Sequence, residues 1–271
     1  MKYSKNTLSQ AIERNEFIPF YQPIIDPLTY NVVGCEVLAR WLKPSRGLVC
    51  ASDFILDVEE HGLLELLTCK SLRNMMMDLD RASSSFPSGF RVNLNVNVSL
   101  LNHENFSTYL VIINEELRRL NFSLIAEITE RENIANFPEA KAIFRNMAVQ
   151  GINFAIDDFG TKFANFRLVD VVKAKTLKLD KLFVNNIGDE DLERLMIKAI
   201  TTAHAHGAKV IAEGIETSAQ HEYAKKMNVD FVQGYLHGSP MPFELFHYRL
   251  SHPSRRYNQY MRAADYEHTS G

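Results

Sequence analysis

The chain has 271 residues, enough for one large domain, since a (β/α)8 barrel takes roughly 250 residues. Its formal net charge of −3 provides no general attraction to nucleic acid polymers or anionic lipid, so an anionic ligand would need local positive charge. The three cysteines form no Cys-x-x-Cys pair, and no apolar run approaches the roughly 20 residues that cross a bilayer. We therefore expect a cytoplasmic protein with free thiols and no membrane partner.

Short apolar runs alternate along the chain with longer amphipathic stretches, a pattern typical of parallel strands covered by helices. The predicted strands are Phe17–Ile25, Val32–Leu42, Phe90–Val96, Ser123–Ile128, Asn153–Ile156, Thr176–Leu179, Lys209–Ala212 and Phe231–Val232. The predicted helices between them are Asp53–Asp80, Glu104–Leu120, Pro138–Gln150, Asp189–His206 and Ser218–Met227. Alternating strands and helices in a chain of this length favour a closed α/β barrel over an open sheet.

The first two predicted strands are separated only by the turn 26–30. A link this short permits antiparallel pairing but no parallel crossover. We therefore predict a TIM-like (β/α)8 barrel that is irregular at its first strand, which runs antiparallel to the second. The barrel is expected to form a single domain over residues 1–250. Residues 251–271 are expected to form a polar tail, with a short helix at Tyr257–Ala264 followed by disorder.

Charged and amide side chains fall at or near the carboxyl ends of seven successive predicted strands. They are Glu36, Asn93, Asn95, Asn97, Glu127, Asp157, Asp158, Lys178, Glu213 and Gln233. A charge inside an apolar strand is costly unless it is paired or binds a metal, and a structural salt bridge explains any single one most simply. Because barrels build their active sites at this end of the strands, the whole set indicates a functional site.

Four of these strands contribute carboxylates and another contributes asparagine, so the predicted cluster is rich in oxygen and strongly anionic. Mutual repulsion would raise the carboxyl pKa values unless cations lie among them. Oxygen ligands select Mg²⁺ or Mn²⁺ over zinc, and a pair of such ions clamps the attacking and leaving oxygens in phosphoryl displacement. The residues alone thus predict a hydrolase of phosphate esters and name no substrate.

The same residues stand in motifs that resemble the EAL-domain family of bacterial cyclic di-GMP phosphodiesterases. The signature reads Glu36-Val37-Leu38-Ala39-Arg40-Trp41, with Val in place of the usual Ala, and Tyr21-Gln22-Pro23-Ile24 precedes it. The further matches are Glu127-Ile128-Thr129-Glu130, Asp157-Asp158-Phe159-Gly160-Thr161, Lys178-Leu179-Asp180, Ala212-Glu213-Gly214-Ile215-Glu216-Thr217, and Gln233-Gly234-Tyr235 with Pro240 and Pro242. The resemblance runs from about Phe17 to Pro242, and the shared order of all the motifs makes it specific.

The resemblance implies a role for each matched position. The implied metal ligands are Glu36, Asn95, Glu127, Asp157, Asp158 and Glu213. The implied catalytic residues are Lys178, which would orient the lytic water, Glu213 and Asp158. The implied substrate-binding residues are Gln22, Leu38, Arg40, Asp180, Glu216 and Gln233. Arg40 would bind a phosphate, for which a planar guanidinium is suited, and Glu130 would hold the loop after Asp158 in place.

Besides Val37, an asparagine position and a loop position bear on the match to the usual family pattern. The usual Asn-x-Ser would select Asn97, whereas the spacing back from Phe106 selects Asn95, and both asparagines lie on the same strand face. The spacing is the basis on which we favour Asn95. The family loop usually reads Gly-Thr-Gly after the paired aspartates, but here Lys162 stands in place of the last glycine. If that position needs a positive φ, Lys162 would strain the loop.

The predicted function is metal-dependent hydrolysis of cyclic di-GMP to linear pGpG, which lowers the second messenger that controls motility and biofilm formation. The resemblance also implies two Mg²⁺ or Mn²⁺ ions, inhibition by Ca²⁺ and a homodimer. With no sensor or diguanylate-cyclase segment in the sequence, we expect a stand-alone EAL protein. The alternative is a catalytically silent EAL protein that acts as a cyclic di-GMP receptor or as a protein-binding regulator. Degenerate members usually lack the signature glutamate or the paired aspartates, which this chain has, so we favour the enzyme.

Overall fold

The structure is a computed structural model that describes residues 3–128, 139–160, 169 and 171–252. The expectations for Glu130, for Lys162 and for a helix at Tyr257–Ala264 lie outside these residues. None of the helices in the described ranges is both long and apolar enough to cross a membrane.

Nine strands lie within the described residues. They are β1 (Phe17–Ile25), β2 (Val32–Lys43), β3 (Gly47–Cys50), β4 (Phe90–Asn95), β5 (Phe122–Ile128), β6 (Asn153–Phe159), β7 (Thr176–Leu179), β8 (Lys209–Ala212) and β9 (Phe231–Gln233). All eight predicted strands are confirmed, with small differences at their ends. The additional strand β3 is only four residues long and extends the β2 hairpin outside the barrel.

Helices cover the outside of the strands. They are α1 (Lys5–Glu13), α2 (Ile55–Glu60), α3 (Leu64–Arg81), α4 (Val98–Leu101), α5 (Glu104–Arg119), α6 (Ala140–Val149), α7 (Leu182–Asn185), α8 (Glu190–Ala205), α9 (Ser218–Lys226) and α10 (Phe243–Ser251). The prediction of one continuous helix over Asp53–Asp80 is wrong, because Gly62 adopts φ +68° and separates α2 from α3. A glycine in this left-handed conformation ends a helix without the steric cost that a side chain would add.

The barrel closes through its first strand. In order around the barrel, β1 is followed by β9, β8, β7, β6, β5, β4 and β2, and β2 pairs again with β1. The strand β1 is antiparallel to both of its neighbours, whereas all the other pairs around the barrel are parallel. The structure therefore confirms the predicted TIM-like barrel and its antiparallel first strand.

A second apolar cluster lies beside the main core and fixes α1 and α2 against the start of the barrel. The Trp41 ring stacks on Phe17 at 5.2 Å, and its Nε1 donates to Glu16 at 2.8 Å. Phe54 and Val58 are fully buried in the same cluster. Because α2 also borders the groove described below, this cluster positions one wall of the candidate site.

Candidate active site

The register of the strands brings the predicted polar residues to one level of the barrel. Gln22 on β1 lies opposite Glu36 on β2, and Ile24 on the same strand lies opposite Gln233 on β9. On the other side, Glu36 is level with Asn93 on β4. Residues that are distant in sequence therefore meet at the carboxyl end of the parallel strands, where barrel enzymes place their active sites.

Lys178 on β7 lies at the centre of this cluster. Its Nζ is 2.7 Å from Glu127, 2.8 Å from Glu213, 3.0 Å from Asp157 and 3.3 Å from Glu36. The lysine side chain is only 1% exposed. Lys178 contacts all four carboxylates, but its single positive charge leaves the cluster strongly anionic.

Burial and crowding shift the pKa values of the cluster. Burial, with the neighbouring Glu36, raises the pKa of Glu127 well above its usual value. Burial also raises the pKa of Glu213 to about 8, even though Lys178 opposes the shift. Burial alone would raise the pKa of Glu36, but Lys178 and two amide donors outweigh it, so the pKa of Glu36 is lowered. The burial of Lys178 would lower its pKa, but the surrounding carboxylates raise it well above its usual value.

Asp157 and Asp158 are neighbours in β6, yet both carboxylates approach the same point. Successive side chains of a regular strand point to opposite faces. Here the register between β6 and β7 shifts after Ile156, and Asp158 adopts φ +53°, a left-handed conformation that aspartate tolerates better than most residues. One ligand oxygen from each of Asp157, Asp158 and Glu213 lies within 4.8 Å of the others.

This arrangement fits a hard divalent cation. The three carboxylates supply oxygen ligands only, and hard divalent cations prefer such ligands. Four carboxylates surround the single ammonium group of Lys178, so the cluster has too little positive charge around it. The buried amide oxygens of Asn93 and Gln233 also accept no hydrogen bond from the described residues. A cation and its water ligands would satisfy both deficits.

The asparagines on and after β4 have three different partners. Asn95 donates its Nδ2 to Glu36 at 2.9 Å, next to the carboxylate cluster. Asn97 instead donates to Glu59 on α2 at 3.0 Å. Asn95 therefore contacts the carboxylate cluster directly, whereas Asn97 contacts α2. Asn93 belongs to the predicted set of polar residues at the strand ends but has no specific predicted role; it is fully buried and donates to Glu127 at 2.7 Å.

The spacing of Asn93 in the sequence indicates which face of the strand it occupies. It precedes Asn95 by two residues, so both side chains lie on the same face of the strand. Its hydrogen bond occupies Oε1 of Glu127 and leaves Oε2 to contact Lys178. Asn93 thus fixes the orientation of a predicted metal ligand.

Two cavities meet at the cluster. A groove of about 890 Å³ extends from Glu36 and the paired aspartates toward α2, α3 and α4. A second pocket of about 240 Å³ lies on the other side. Its lining includes Gln22, Glu36, Leu38, Asp157, Lys178, Glu213, Glu216, Gln233 and Tyr235. The predicted substrate residues Gln22, Leu38, Glu216 and Gln233 are therefore together on one pocket wall.

Gln233 links the first and last strands of the barrel. Its Nε2 donates to Oε2 of Glu36 at 2.7 Å and to Oε1 of Gln22 at 3.1 Å. The side chain is 3% exposed, so these bonds are shielded from water. Gln233 holds the signature glutamate in place on the side away from Asn95.

The two remaining predicted substrate residues have local contacts. Arg40 follows Glu36 and Leu38 at a spacing of two residues, and its Nη1 donates to the carbonyl of Ala39 at 3.0 Å. Asp180 accepts the backbone N–H of Leu182 at 2.7 Å, at the beginning of α7. The hydrogen bond of Arg40 to Ala39 uses one of the five guanidinium N–H donors and leaves the others for a ligand. The carboxylate of Asp180, in contrast, holds the first turn of α7.

Comparison with known proteins finds relatives that are named as cyclic di-GMP phosphodiesterases. The cyclic di-GMP phosphodiesterase PdeL of Escherichia coli is 32% identical over 240 residues, which are 88% of this chain and 66% of PdeL. The probable cyclic di-GMP phosphodiesterase PdeG of the same organism is 29% identical over 87% of this chain and 47% of PdeG. The chain thus spans less than two thirds of these relatives.

Solved structures share the fold. The EAL enzyme Bd1971, in a cAMP- and cyclic-di-GMP-bound form, gives a TM-score of 0.80 at 26% identity and covers 90% of this chain and 67% of Bd1971. The PaMucR phosphodiesterase in its c-di-GMP complex gives 0.75 at 27% identity and covers 89% of this chain and 98% of PaMucR. The model of the family described as EAL domain matches residues 5–240. By this match, which covers nearly the whole described barrel, the chain belongs to the EAL domain family.

Proposed function

We propose that this protein hydrolyses cyclic di-GMP to linear pGpG with the help of divalent cations. The observation that carries the proposal is the cluster of four carboxylates around Lys178, two of which, Asp157 and Glu213, also lie close to the carboxylate of Asp158. The relatives named as cyclic di-GMP phosphodiesterases support the choice of substrate. The cluster also lies where two cavities meet, so a substrate with two nucleotide halves can place one in each.

The residues that would hold two Mg²⁺ or Mn²⁺ ions are Glu36, Asn95, Glu127, Asp157, Asp158 and Glu213. Bound ions would neutralise charge on the phosphate and lower the pKa of a water molecule. We expect Ca²⁺ to inhibit, because its larger radius and looser coordination suit a site built for smaller ions poorly.

The chain's own groups position the reactants. Arg40 binds a phosphate oxygen through its planar guanidinium. Lys178 donates a hydrogen bond to the attacking water, and a carboxylate oxygen of Glu213 accepts the proton that the water loses. The new bond between phosphorus and the water oxygen forms as the bond to the ribose 3′ oxygen breaks. The 3′ oxygen then takes up a proton, which leaves a linear dinucleotide with a 5′ phosphate.

The proposal includes three predictions from the sequence. They are a single domain over residues 1–250, a cytoplasmic location and a homodimer. The homodimer follows from the family resemblance and can be measured by analytical ultracentrifugation.

Incubation of the purified protein with cyclic di-GMP and Mn²⁺, followed by chromatography, tests the proposal. We expect linear pGpG to accumulate and its formation to stop on chelation with EDTA. Glu59→Gln is a matched control for Glu36→Gln, because both glutamates accept an asparagine amide but only Glu36 contacts Lys178. Full turnover in excess EDTA would exclude the role of metal. Binding of cyclic di-GMP without turnover would instead support a receptor.

A further inference from the structure

We propose that Tyr3 and Asp57 form a strap that sets the width of the 890 Å³ groove, and that Asp57 is thereby a positioning residue for the ligand. The strap is the hydrogen bond between these two residues together with the contacts that hold Tyr3. The inference rests on the proposed function, since the ligand is the cyclic dinucleotide. It assigns a role in binding to the segment before β1, which the proposed reaction does not use.

The groove has one wall on β2 and another on α2. Residues 37–39 line it from β2, and Ile55, Leu56 and Glu59 line it from α2. The wall on β2 belongs to the closed barrel, because β2 pairs with both β1 and β4. The helix α2 lies outside the strands, so its distance from β2 depends on side-chain contacts. Whatever holds α2 therefore sets the width of the groove.

The helix α2 cannot hold this position by its own stability. It has only six residues, and isolated helices shorter than about 12–15 residues are marginal in water. Its N-cap residue is Phe54, whose side chain has no oxygen to accept a backbone N–H. Gly62, with φ +68°, separates it from α3. The buried side chains of Phe54 and Val58 attach α2 to the barrel, but apolar contacts are non-directional.

The strap supplies directional contacts to α2. The backbone N–H of Tyr3 donates to Oδ2 of Asp57 at 2.6 Å. Nε2 of His61, the C-cap residue of α2, donates to the carbonyl oxygen of Tyr3 at 3.1 Å. Tyr3 and Asp57 are 4% and 5% exposed, so the bond between them is shielded from water. A buried carboxylate is costly without a partner, which favours the bonded arrangement.

The ring of Tyr3 joins the same strap to β2. It packs edge-on against Trp41 with 4.7 Å between the ring centroids, and Nζ of Lys43 lies 4.7 Å from its centroid. Both of these residues belong to β2. Arg46, in the turn that follows, donates to the Tyr3 hydroxyl at 3.2 Å. Tyr3 thus bonds to α2 through its backbone and packs on β2 through its side chain, so it connects the two walls of the groove.

Loss of the strap should act on binding and leave the chemical step intact. If α2 kept its position in only about a fifth of the molecules, the apparent Kd of a ligand that needs both walls would rise about fivefold. The carboxylates around Lys178 lie on barrel strands, so kcat should stay within about twofold of the wild-type value while KM rises.

The test compares three variants with the wild type. Asp57→Ala removes the acceptor, Tyr3→Ala removes the ring that packs on β2, and Asp57→Asn keeps an acceptor oxygen. Isothermal titration calorimetry with cyclic di-GMP in Ca²⁺ should show a Kd at least about fivefold higher for the two alanine variants and close to the wild-type value for Asp57→Asn. Hydrogen exchange followed by mass spectrometry should show faster exchange over Ile55–Glu60 in Asp57→Ala.

Asp26→Ala is the matched control. Asp26 also accepts backbone N–H groups, from Leu28 at 2.8 Å and from Thr29 at 3.0 Å. It lies in the turn before β2, whereas the cluster lies at the carboxyl ends of the parallel strands, so this turn is at the opposite end of the barrel. The control should leave both the Kd and the exchange of α2 unchanged.

Three results would overturn the inference. They are an unchanged Kd in Asp57→Ala and Tyr3→Ala, an Asp57→Asn variant that binds as weakly as Asp57→Ala, and a kcat that falls as far as KM rises. Turnover by a wild type whose affinity does not depend on Asp57 would refute only the strap. Binding of cyclic di-GMP without turnover would refute only the proposed function, and a wild type that does not bind it would refute both.

Discussion

The replacement of Lys178 by methionine tests the electrostatic description of the cluster. Methionine has a similar length and volume but no charge, so the substitution removes the ammonium group that lies 2.7 Å from Glu127. The lysine is 1% exposed and lies within 3.3 Å of four carboxylates. Without it, the carboxylates would repel one another in a site with little solvent.

The expected loss is large. Removal of one partner from a buried ion pair typically costs about 3–5 kcal/mol, because it leaves an uncompensated buried charge. We therefore expect Lys178→Met to lower the free energy of unfolding by about 3–5 kcal/mol in EDTA. Mn²⁺ at about 100 times its Kd should restore about 2.7 kcal/mol, because a ligand that binds only the folded state stabilises it.

The loss should also depend on pH with a defined sign. The pKa values of Glu127 and Glu213 are raised in the folded protein, so these carboxyls bind protons more readily folded than unfolded. Protonation therefore stabilises the folded state as the pH falls, and the deficit of Lys178→Met should shrink toward acid pH.

Urea denaturation followed by circular dichroism, in EDTA and in Mn²⁺, provides the measurement. Lys209→Met is the matched control, since its Nζ lies 2.8 Å from Asp230 but its side chain is 57% exposed. An exposed ion pair contributes at most about 1 kcal/mol, so this variant should unfold nearly as the wild type does. If Lys178→Met in EDTA were no less stable than Lys209→Met, the charge argument for the metal site would be wrong.

Three further predictions concern other parts of the site. Glu36→Ala should lower kcat roughly a hundredfold or more, whereas Arg40→Ala should mainly raise KM. Steady-state hydrolysis measures both constants. If Glu36→Ala retained more than about a tenth of the wild-type kcat, the assignment of Glu36 would be wrong. Gly234→Ala should destabilise the protein by about 1–3 kcal/mol in urea denaturation, since its Cβ would lie 2.2 Å from the backbone of Ile215, and unchanged stability would refute that packing. Burial lowers the pKa of His237 from 6.5 to about 3, so between these values the unfolded chain binds a proton that the folded one does not, and stability falls as the pH falls. His237→Gln should flatten this slope by at most about 1.4 kcal/mol per pH unit in urea midpoints measured from acid to neutral pH, and an unchanged slope would rule His237 out as its source.

The sequence by itself determined the architecture of the barrel and the end at which the site lies. Short apolar runs define the strands, because a parallel strand that is buried on both faces presents apolar side chains to the barrel interior and to the covering helices. The short turn between the first two strands permits only antiparallel pairing, which is how β1 closes the barrel. Polar residues at the ends of seven apolar strands then mark the site, because buried charges are costly unless they are paired or bind a metal.

Only the tertiary structure decided how those residues are arranged. The contact between Lys178 and Glu36 joins residues 142 positions apart, and no local pattern specifies that the lysine lies among four carboxylates. The shift of register at Asp158 and its φ of +53° turn two adjacent aspartates to one point, against the alternation that a strand pattern predicts. Asn93 has the same spacing signal as Asn95, and only its distance to Glu127 gives it a role. A sequence pattern gives the face and the strand end on which a side chain lies, whereas distances between side chains from different strands depend on the register and closure of the whole barrel.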